Sequence, residues 1–305
     1  MKYELAGKVV LITGGSRGLG LVMARQLVAQ KARVAICARD PDELRRAKAD
    51  LGEEVVTITC DLTDADQVER LASEVHSQLG PIDVLINNAG IIQVGPMKLM
   101  TIEDYEMAMA THFWAPLRLS LAVLPKMLER GSGRIVNISS IGGRIAVPHL
   151  LPYTASKFAL VGLSEGMRAE LAKDDIKVTT VVPGLMRTGS PVHAQFKGRN
   201  EAEYKWFAAG DSSHFTAMQA ERAARQIITA MRRGRPELVL SFQAKLAWRL
   251  FALAPGLAQR ALSLIDRLLP KPGGIGAASA LGSESRRRSL LTRASDRAAL
   301  RNNEL

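Results

Sequence analysis

Tyr153 and Lys157 stand four residues apart in the run Tyr153-Thr-Ala-Ser-Lys157, and Ser140 lies thirteen residues before the tyrosine, at the end of the apolar run Arg134-Ile-Val-Asn-Ile-Ser-Ser140. On a helix, positions i and i+4 share a face, so the lysine ammonium can lie beside the phenol. A free phenol titrates near pKa ~10 and is a poor acid or base at neutral pH. A fixed neighbouring cation favours the phenolate and lowers that pKa. A tyrosine so placed can pass a proton to and from a substrate oxygen, and a serine hydroxyl can hold the same oxygen. The Tyr-x-x-x-Lys spacing by itself is common on solvated helix faces, so its chemical reading depends on what else the chain supplies.

The N-terminal part supplies a nucleotide loop. Lys8-Val-Val-Leu-Ile-Thr13 is short, apolar and β-branched, the pattern of a buried parallel strand. Gly14-Gly-Ser-Arg-Gly18-Leu-Gly20 follows at once, and Leu21 to Ala29 reads as a helix. In a strand, glycine turn and helix, the glycines let the backbone approach a pyrophosphate and the helix-start N–H groups point at it. The spacing is G-x-x-x-G-x-G rather than G-x-G-x-x-G. Gly14, Ser16, Arg17, Gly18, Leu19 and Gly20 are the candidate contacts in this loop.

The next strand, Arg33 to Ala38, ends in Arg39-Asp40. An NAD site usually places a carboxylate there for the ribose 2′-hydroxyl, whereas an NADP site offers arginine to the 2′-phosphate. Arg39 and Arg17 outweigh the single acid Asp40, so NADP(H) is the expected cofactor, with NAD(H) as the alternative. The competing reading of Arg39 is a plain surface charge.

Taken together, these residues resemble the short-chain dehydrogenase/reductase family. The matching motifs are Thr13-Gly14-x-x-x-Gly18-x-Gly20, Asp61-Leu62, Asn87-Asn88-Ala89-Gly90, Ser140, Tyr153-x-x-x-Lys157, and Pro183-Gly184 with Thr188, in the family's order and spacing over about residues 5–240. The resemblance implies that Asp61, with Leu62, contacts the adenine and that Asn87 to Gly90 close over the ribose and steady the central strand, with Asn88, Ala89 and Gly90 at the cofactor. It implies that Ser140 binds the carbonyl oxygen, Tyr153 is the acid/base and Lys157 also holds the nicotinamide ribose. Pro183, Gly184 and Thr188 would lie at the carboxamide end. A purely architectural reading competes for Asn87 and Asn88.

The chain departs from that family where an asparagine is usual, in a segment resembling Asn-Phe-Trp-Gly-Pro. Here it reads Thr111-His112-Phe113-Trp114-Ala115-Pro116, which puts His112 at the asparagine position. The asparagine supports a water in a proton relay behind the lysine. Histidine can also bond water and titrates near neutrality, so His112 is a candidate relay residue with altered pH dependence; the alternative is a structural histidine.

Positioning these residues takes an α/β fold. Strands are expected near 8–13, 33–38, 54–60, 82–87, 133–139, 176–182 and 237–241, with helices between, notably 101–128 and 152–173. Such alternation implies a Rossmann-like, doubly wound parallel sheet of about seven strands, here with a C-terminal helical extension. Residues 1–242 form the expected catalytic domain. Within it 185–215 breaks the alternation and carries His193, Phe196, Tyr204, Trp206, Phe207, His214 and Phe215, as expected of a substrate lid. Its rings either face a partly apolar substrate, as Phe113 and Trp114 would, or pack the lid onto the body. Residues 243–270 read as two amphipathic helices. Leu246, Leu250 and Leu253 stripe the first; Leu257, Ala261, Ile265 and Leu268 stripe the second; Lys245, Arg249, Arg260 and Arg267 flank them. The stripes pack on the body or a partner, or lie in a membrane interface through 243–269. Residues 271–305, rich in Gly, Ala, Ser and Arg, are expected to be disordered.

At 305 residues and 47% hydrophobic composition the chain can bury a large single core. Its two cysteines, Cys37 and Cys60, fall in expected core strands and imply buried thiols in a reducing compartment, not a disulfide framework or a metal site. With no apolar run long enough to span a bilayer and no room for a signal peptide, a cytoplasmic location is expected, with peripheral membrane contact through the extension as the variant. The net charge of +11 comes in part from Arg286, Arg287 and Arg288, and no nucleic-acid motif accompanies it. The expected activity is reversible NADP(H)-dependent reduction of a ketone or aldehyde by a homo-oligomer (dimer or tetramer). The rival is a catalytically silent nucleotide sensor or membrane-associated scaffold on the same fold.

Overall fold

The β-branched runs pair into one parallel sheet. Its strands are β1 (Val9–Thr13), β2 (Arg33–Ala38), β3 (Val56–Thr59), β4 (Val84–Asn87), β5 (Gly133–Ile138), β6 (Ile176–Val182) and β7 (Glu237–Val239). The computed structural model describes residues 3–212, 217–285 and 299–304. The strand order is β7-β6-β5-β4-β1-β2-β3. The order in which the strands are added therefore reverses between β1 and β4, which is where open α/β sheets bind ligands.

The helices are α1 (Gly18–Val28), α2 (Pro41–Leu51), α3 (Ala65–Leu79), α4 (Ile102–Met109), α5 (Ala115–Glu129), α6 (Leu151–Leu171), α7 (Asn200–Ser212), α8 (Ala220–Arg232), α9 (Phe242–Leu253) and α10 (Pro255–Asp266). One core cluster joins α1, α2 and α8 to one sheet face; a second joins α3 and α5 to the other. Helix starts follow from local chemistry. Asp40 accepts the N–H groups of Asp42 and Glu43 and Pro41 opens the turn of α2, Asp64 does the same for α3, and Thr101 with Asp104 forms a capping box on α4. The start of α1 has no side-chain cap and no acid in its first turn.

Four expectations are changed or sharpened. The helix expected over 101–128 is interrupted by a π-helical turn at Ala110–Trp114, which carries His112. Such turns insert one residue and leave the apolar periodicity on either side intact, so the sequence does not announce them. The lid segment leaves the main sheet, as its break in the alternation implies, but it gains short pairings of its own: Gln195–Phe196 pairs with Gln93–Val94 and with Ala280–Leu281, and Met186–Arg187 pairs with Met218–Gln219. His214 and Phe215 lie outside the described residues. Disorder over 271–305 is not met at 271–285, which pairs onto the lid, nor at 299–304, which folds onto the glycine loop. Those contacts run largely through main-chain and side-chain polar groups, with only Ala299 buried as an apolar residue, so composition is blind to them. Residues 286–298 and 305 lie outside the described residues.

The fourth change concerns the extension. Ala244 is buried and Trp248 packs with it on Val182 and Val239, with the Arg144 guanidinium 5.3 Å over the Trp248 ring. Leu246, Leu250, Leu253, Leu257, Leu264, Ile265 and Leu268 are all exposed. The leucine stripes therefore do not pack on the body; α9 docks through its Ala244–Trp248 edge.

Candidate active site

The glycine loop needs its glycines. Gly14 and Gly18 have φ of +60° and +55°, the left-handed region that side chains disfavour. A Cβ on Gly14 would come within 2.9 Å of the Ala89 Cα, and one on Gly20 would run into the Gly14 carbonyl oxygen. The loop is tied to the end of β4. Thr13 Oγ1 accepts the N–H groups of Asn88 and Ala89 at 2.9 and 3.0 Å, and the Asn88 amide donates to the carbonyls of Thr13 and Gly14 at 3.0 Å each.

Asn87 Nδ2 donates to Asn137 Oδ1 at 2.8 Å, and Asn137 Nδ2 donates to Ser164 Oγ at 3.0 Å. Thr180 Oγ1 donates to the same serine at 2.7 Å. This buried ladder locks β4, β5 and β6 to α6, the helix that carries Tyr153. Sequence reading missed Asn137 and Ser164, although an asparagine inside the apolar β5 run was a signal.

The expected chemical group assembles at the strand ends. Ser140 caps the turn after β5, its Oγ accepting the Gly142 N–H at 3.0 Å. A Cβ built on Gly142 would lie 3.1 Å from Tyr153 Cε1 and 3.5 Å from Ser140 Oγ, so phenol ring and hydroxyl converge on one spot kept open by that glycine. Lys157 Nζ sits 5.7 Å from the Tyr153 ring centroid and donates to the Ile138 carbonyl at 2.9 Å. The lysine is buried, and burial lowers its pKa from the ordinary 10.5 to about 7.

His112 is fully buried, edge-on to the Tyr153 ring at 5.5 Å. Its Nε2 accepts the Ile91 N–H at 3.1 Å, so Nε2 carries no proton and Nδ1 donates to Ser156 Oγ at 2.7 Å. Both ring nitrogens are thereby engaged by the protein. Burial first, and the Lys157 ammonium second, hold its pKa well below the ordinary range. The expectation of a titration near neutrality is thus corrected.

The other expected cofactor residues spread around this centre. Asp61 accepts the N–H and hydroxyl of Thr63, both at 2.9 Å, and Leu62 is buried. Gly90 lies against His112 and Lys157. Gly184, after Pro183, is pressed on Ser241 and Ala244 at the start of α9, and Thr188 is buried. Arg39 is exposed and makes no hydrogen bond or ion pair with another described residue. Asp40 is held at the start of α2, where those N–H groups keep its pKa low. Arg17 is not free: it donates to Glu43 at 2.9 Å and to His193 Nδ1 at 2.7 Å. Lid rings Phe196 and Tyr204 are buried against Leu150 and Val94, in a cluster that Tyr153 joins.

A doubly wound sheet with a glycine loop at its switch point, a serine just past a neighbouring strand end and a tyrosine and lysine on the helix packed beside it defines a Rossmann-type dehydrogenase. The profile of the short chain dehydrogenase family matches residues 8–196, and the chain belongs to that family. It is a short-chain dehydrogenase/reductase, an oxidoreductase of a family that binds NAD(P)(H). It is 32% identical to a "Dehydrogenase/reductase SDR family protein 7-like" of Drosophila melanogaster, over 86% of this chain and 83% of that one. It is 33% identical to a fatty acyl-CoA reductase of Acinetobacter baylyi, over 96% and 94%. The crystal structure of a short-chain dehydrogenase from Streptomyces avermitilis superposes with a TM-score of 0.74 at 32% identity, covering 85% of this chain and 97% of that one.

Proposed function

We propose that the protein reduces the carbonyl of a partly apolar small molecule to an alcohol, reversibly, with NADP(H) preferred over NAD(H). The observation that supports this best is the convergence of Ser140 Oγ and the Tyr153 ring above Gly142, with a buried lysine behind. When bound, the dinucleotide supplies or accepts the hydride. Ser140 holds the substrate oxygen, Tyr153 passes it the proton, and Lys157 sets the phenol's acidity while tied to Ile138. His112 positions the tyrosine helix rather than bonding a relay water.

The residues present suit a dinucleotide. The bare glycine loop leaves the N–H groups at the start of α1 without a side-chain cap. Gly14, Ser16, Arg17, Gly18, Leu19 and Gly20 would hold the diphosphate. Asp61 and Leu62 would hold the adenine; Asn88, Ala89, Gly90, Tyr153 and Lys157 the ribose side; Pro183, Gly184 and Thr188 the carboxamide. Asp40 is engaged as a helix cap while Arg39 is free of described partners, which supports the 2′-phosphate. An apolar substrate is supported by the aromatic cluster around Tyr153 and by a relative named for a fatty acyl-CoA.

The exposed leucines of α9 and α10, flanked by Lys245, Arg249, Arg260 and Arg267, support peripheral contact with an anionic membrane from the cytoplasmic side. Two copies would bring these same cations together, which disfavours a dimer through this face. Trp114, Leu121 and Leu128, exposed seven residues apart near and along α5, support a homo-oligomer built elsewhere.

The test is NADPH oxidation against aldehydes and ketones of rising chain length. Tyr153→Phe should lose roughly 10²–10⁴-fold in turnover, the typical share of a general acid/base, while binding NADPH almost unchanged. Undiminished turnover in this variant would remove Tyr153 from the chemistry. NADPH binding with no turnover of any carbonyl would favour the silent sensor.

A further inference from the structure

Residues 299–304 lie across the glycine loop. The N–H of Gly18, the first residue of α1, donates to the Asn302 carbonyl at 2.9 Å. The Asn303 amide donates to the carbonyls of Ser16 at 2.9 Å and Glu43 at 3.2 Å, and its oxygen accepts from Arg46 Nε at 2.7 Å. Asn302 Nδ2 donates to the Thr188 carbonyl at 3.4 Å. The Glu304 carboxylate lies 3.5 Å from Arg17 Nε and 3.2 Å from His193 Nε2, and a Cβ on Gly18 would meet it at 2.5 Å. Ala299 is fully buried against Gly189.

Ser16, Arg17, Gly18 and Thr188 are the same groups that suit a dinucleotide. The start of α1 lacks a cap of its own, so its first N–H needs an acceptor from elsewhere. A main-chain carbonyl and a carboxylate offer that N–H and Arg17 what phosphate oxygens would offer: an acceptor and a negative charge. We propose that residues 299–304 are an internal occupant of the cofactor's diphosphate subsite, and that they must leave before a dinucleotide can bind. This rests on the dinucleotide reading of the loop.

The hold is suited to release. Its contacts are polar apart from Ala299. Burial raises the Glu304 pKa to about 7, Glu43 pushes it further in the same direction, and Arg17 opposes both. A ligand that must displace a closed segment binds with an affinity reduced by the open fraction; a segment closed ten times as often as open weakens it roughly tenfold. The occupant therefore raises the dinucleotide concentration needed to fill the site, by the inverse of the open fraction.

Two variants of the full chain test this. Ala299→Trp places a neutral ring where only a methyl fits against Gly189, and Glu304→Gln removes the charge while keeping the shape. Both should bind NADPH more tightly, Ala299→Trp by roughly tenfold. In the wild type, hydrogen exchange is followed with and without NADPH. Residues 299–304 should lose protection as NADPH binds, which tests displacement even where the tryptophan impairs folding. Protection of 299–304 that holds or grows with NADPH bound, or weaker NADPH binding by Glu304→Gln, would make the segment part of the closed cofactor site and overturn the inference alone. Failure of wild type and both variants to bind either NADPH or NADH would remove the reading of the loop, and this inference with it.

Discussion

Lys157 Nζ donates to the Ile138 carbonyl at 2.9 Å, tying the cation beneath Tyr153 to the end of the strand that leads to Ser140. Proton donor, oxygen holder and cation are thus set by one short stretch of β5 and one turn of α6. The lysine is held where its charged form is disfavoured, because burial removes more hydration than one carbonyl restores.

That burial has a pH signature. The folded pKa is about 7 against an ordinary 10.5, so between these values the unfolded chain binds more protons than the folded one. Stability from this group therefore rises with pH across that window and is lowest below about 7. Lys157→Met should raise Tm most at pH 6 and progressively less toward pH 10, as melting curves of both proteins would show. A gain independent of pH would mean that Lys157 is not depressed.

Arg39→Asp should weaken NADPH far more than NADH. The change removes an exposed cation and sets a like charge beside the 2′-phosphate. Charge-assisted hydrogen bonds contribute about 1.5–3 kcal/mol, so a loss of roughly tenfold to hundredfold is expected for NADPH. Titration of both cofactors decides it, and an equal effect on the two would mean that Arg39 does not read the phosphate.

His112→Asn should lower Tm, since either the Ile91 N–H or Ser156 loses its partner in a fully buried site. An unsatisfied buried group costs about 1–3 kcal/mol. The apparent pKa values of the kcat/KM profile should stay where they are, because burial holds the histidine's pKa well below its ordinary value. A displaced profile with unchanged Tm would restore His112 to the proton relay.

The parts that were legible in sequence share a cause. β-branched runs, glycines at fixed offsets and the Tyr153-x-x-x-Lys157 spacing are local constraints; the strands they imply form the sheet, and Ser140, Tyr153 and Lys157 lie close together beside it. What was hidden depends on distant partners. The π turn at His112 leaves the apolar periodicity on both sides undisturbed. Arg17 looked like a free cation because Glu43 and His193 reach it only in the folded chain. Residues 299–304 have little apolar content, and their hold on Ser16 and Gly18 runs through amides and main chain nearly 290 residues away, which no local pattern encodes. The extension was half legible: its amphipathic stripe was plain, but which face met the body rested on Ala244 and Trp248.

The extension provides the last prediction. Leu250 and Leu253 are exposed on α9, the latter to 82%, so Leu250→Glu with Leu253→Glu should leave Tm and the folded core nearly unchanged. Wild-type protein should co-sediment with vesicles containing phosphatidylglycerol at low salt and detach as salt screens the lysine and arginines. Fully burying a leucine is worth about 1.5–3 kcal/mol, so the double variant should bind the vesicles roughly a hundredfold more weakly. Its light-scattering mass should match the wild type. A mass that halves while vesicle binding is absent in both proteins would assign the leucines to a contact between copies. No vesicle binding by the wild type at low salt, where the cations act most strongly, would end the membrane reading.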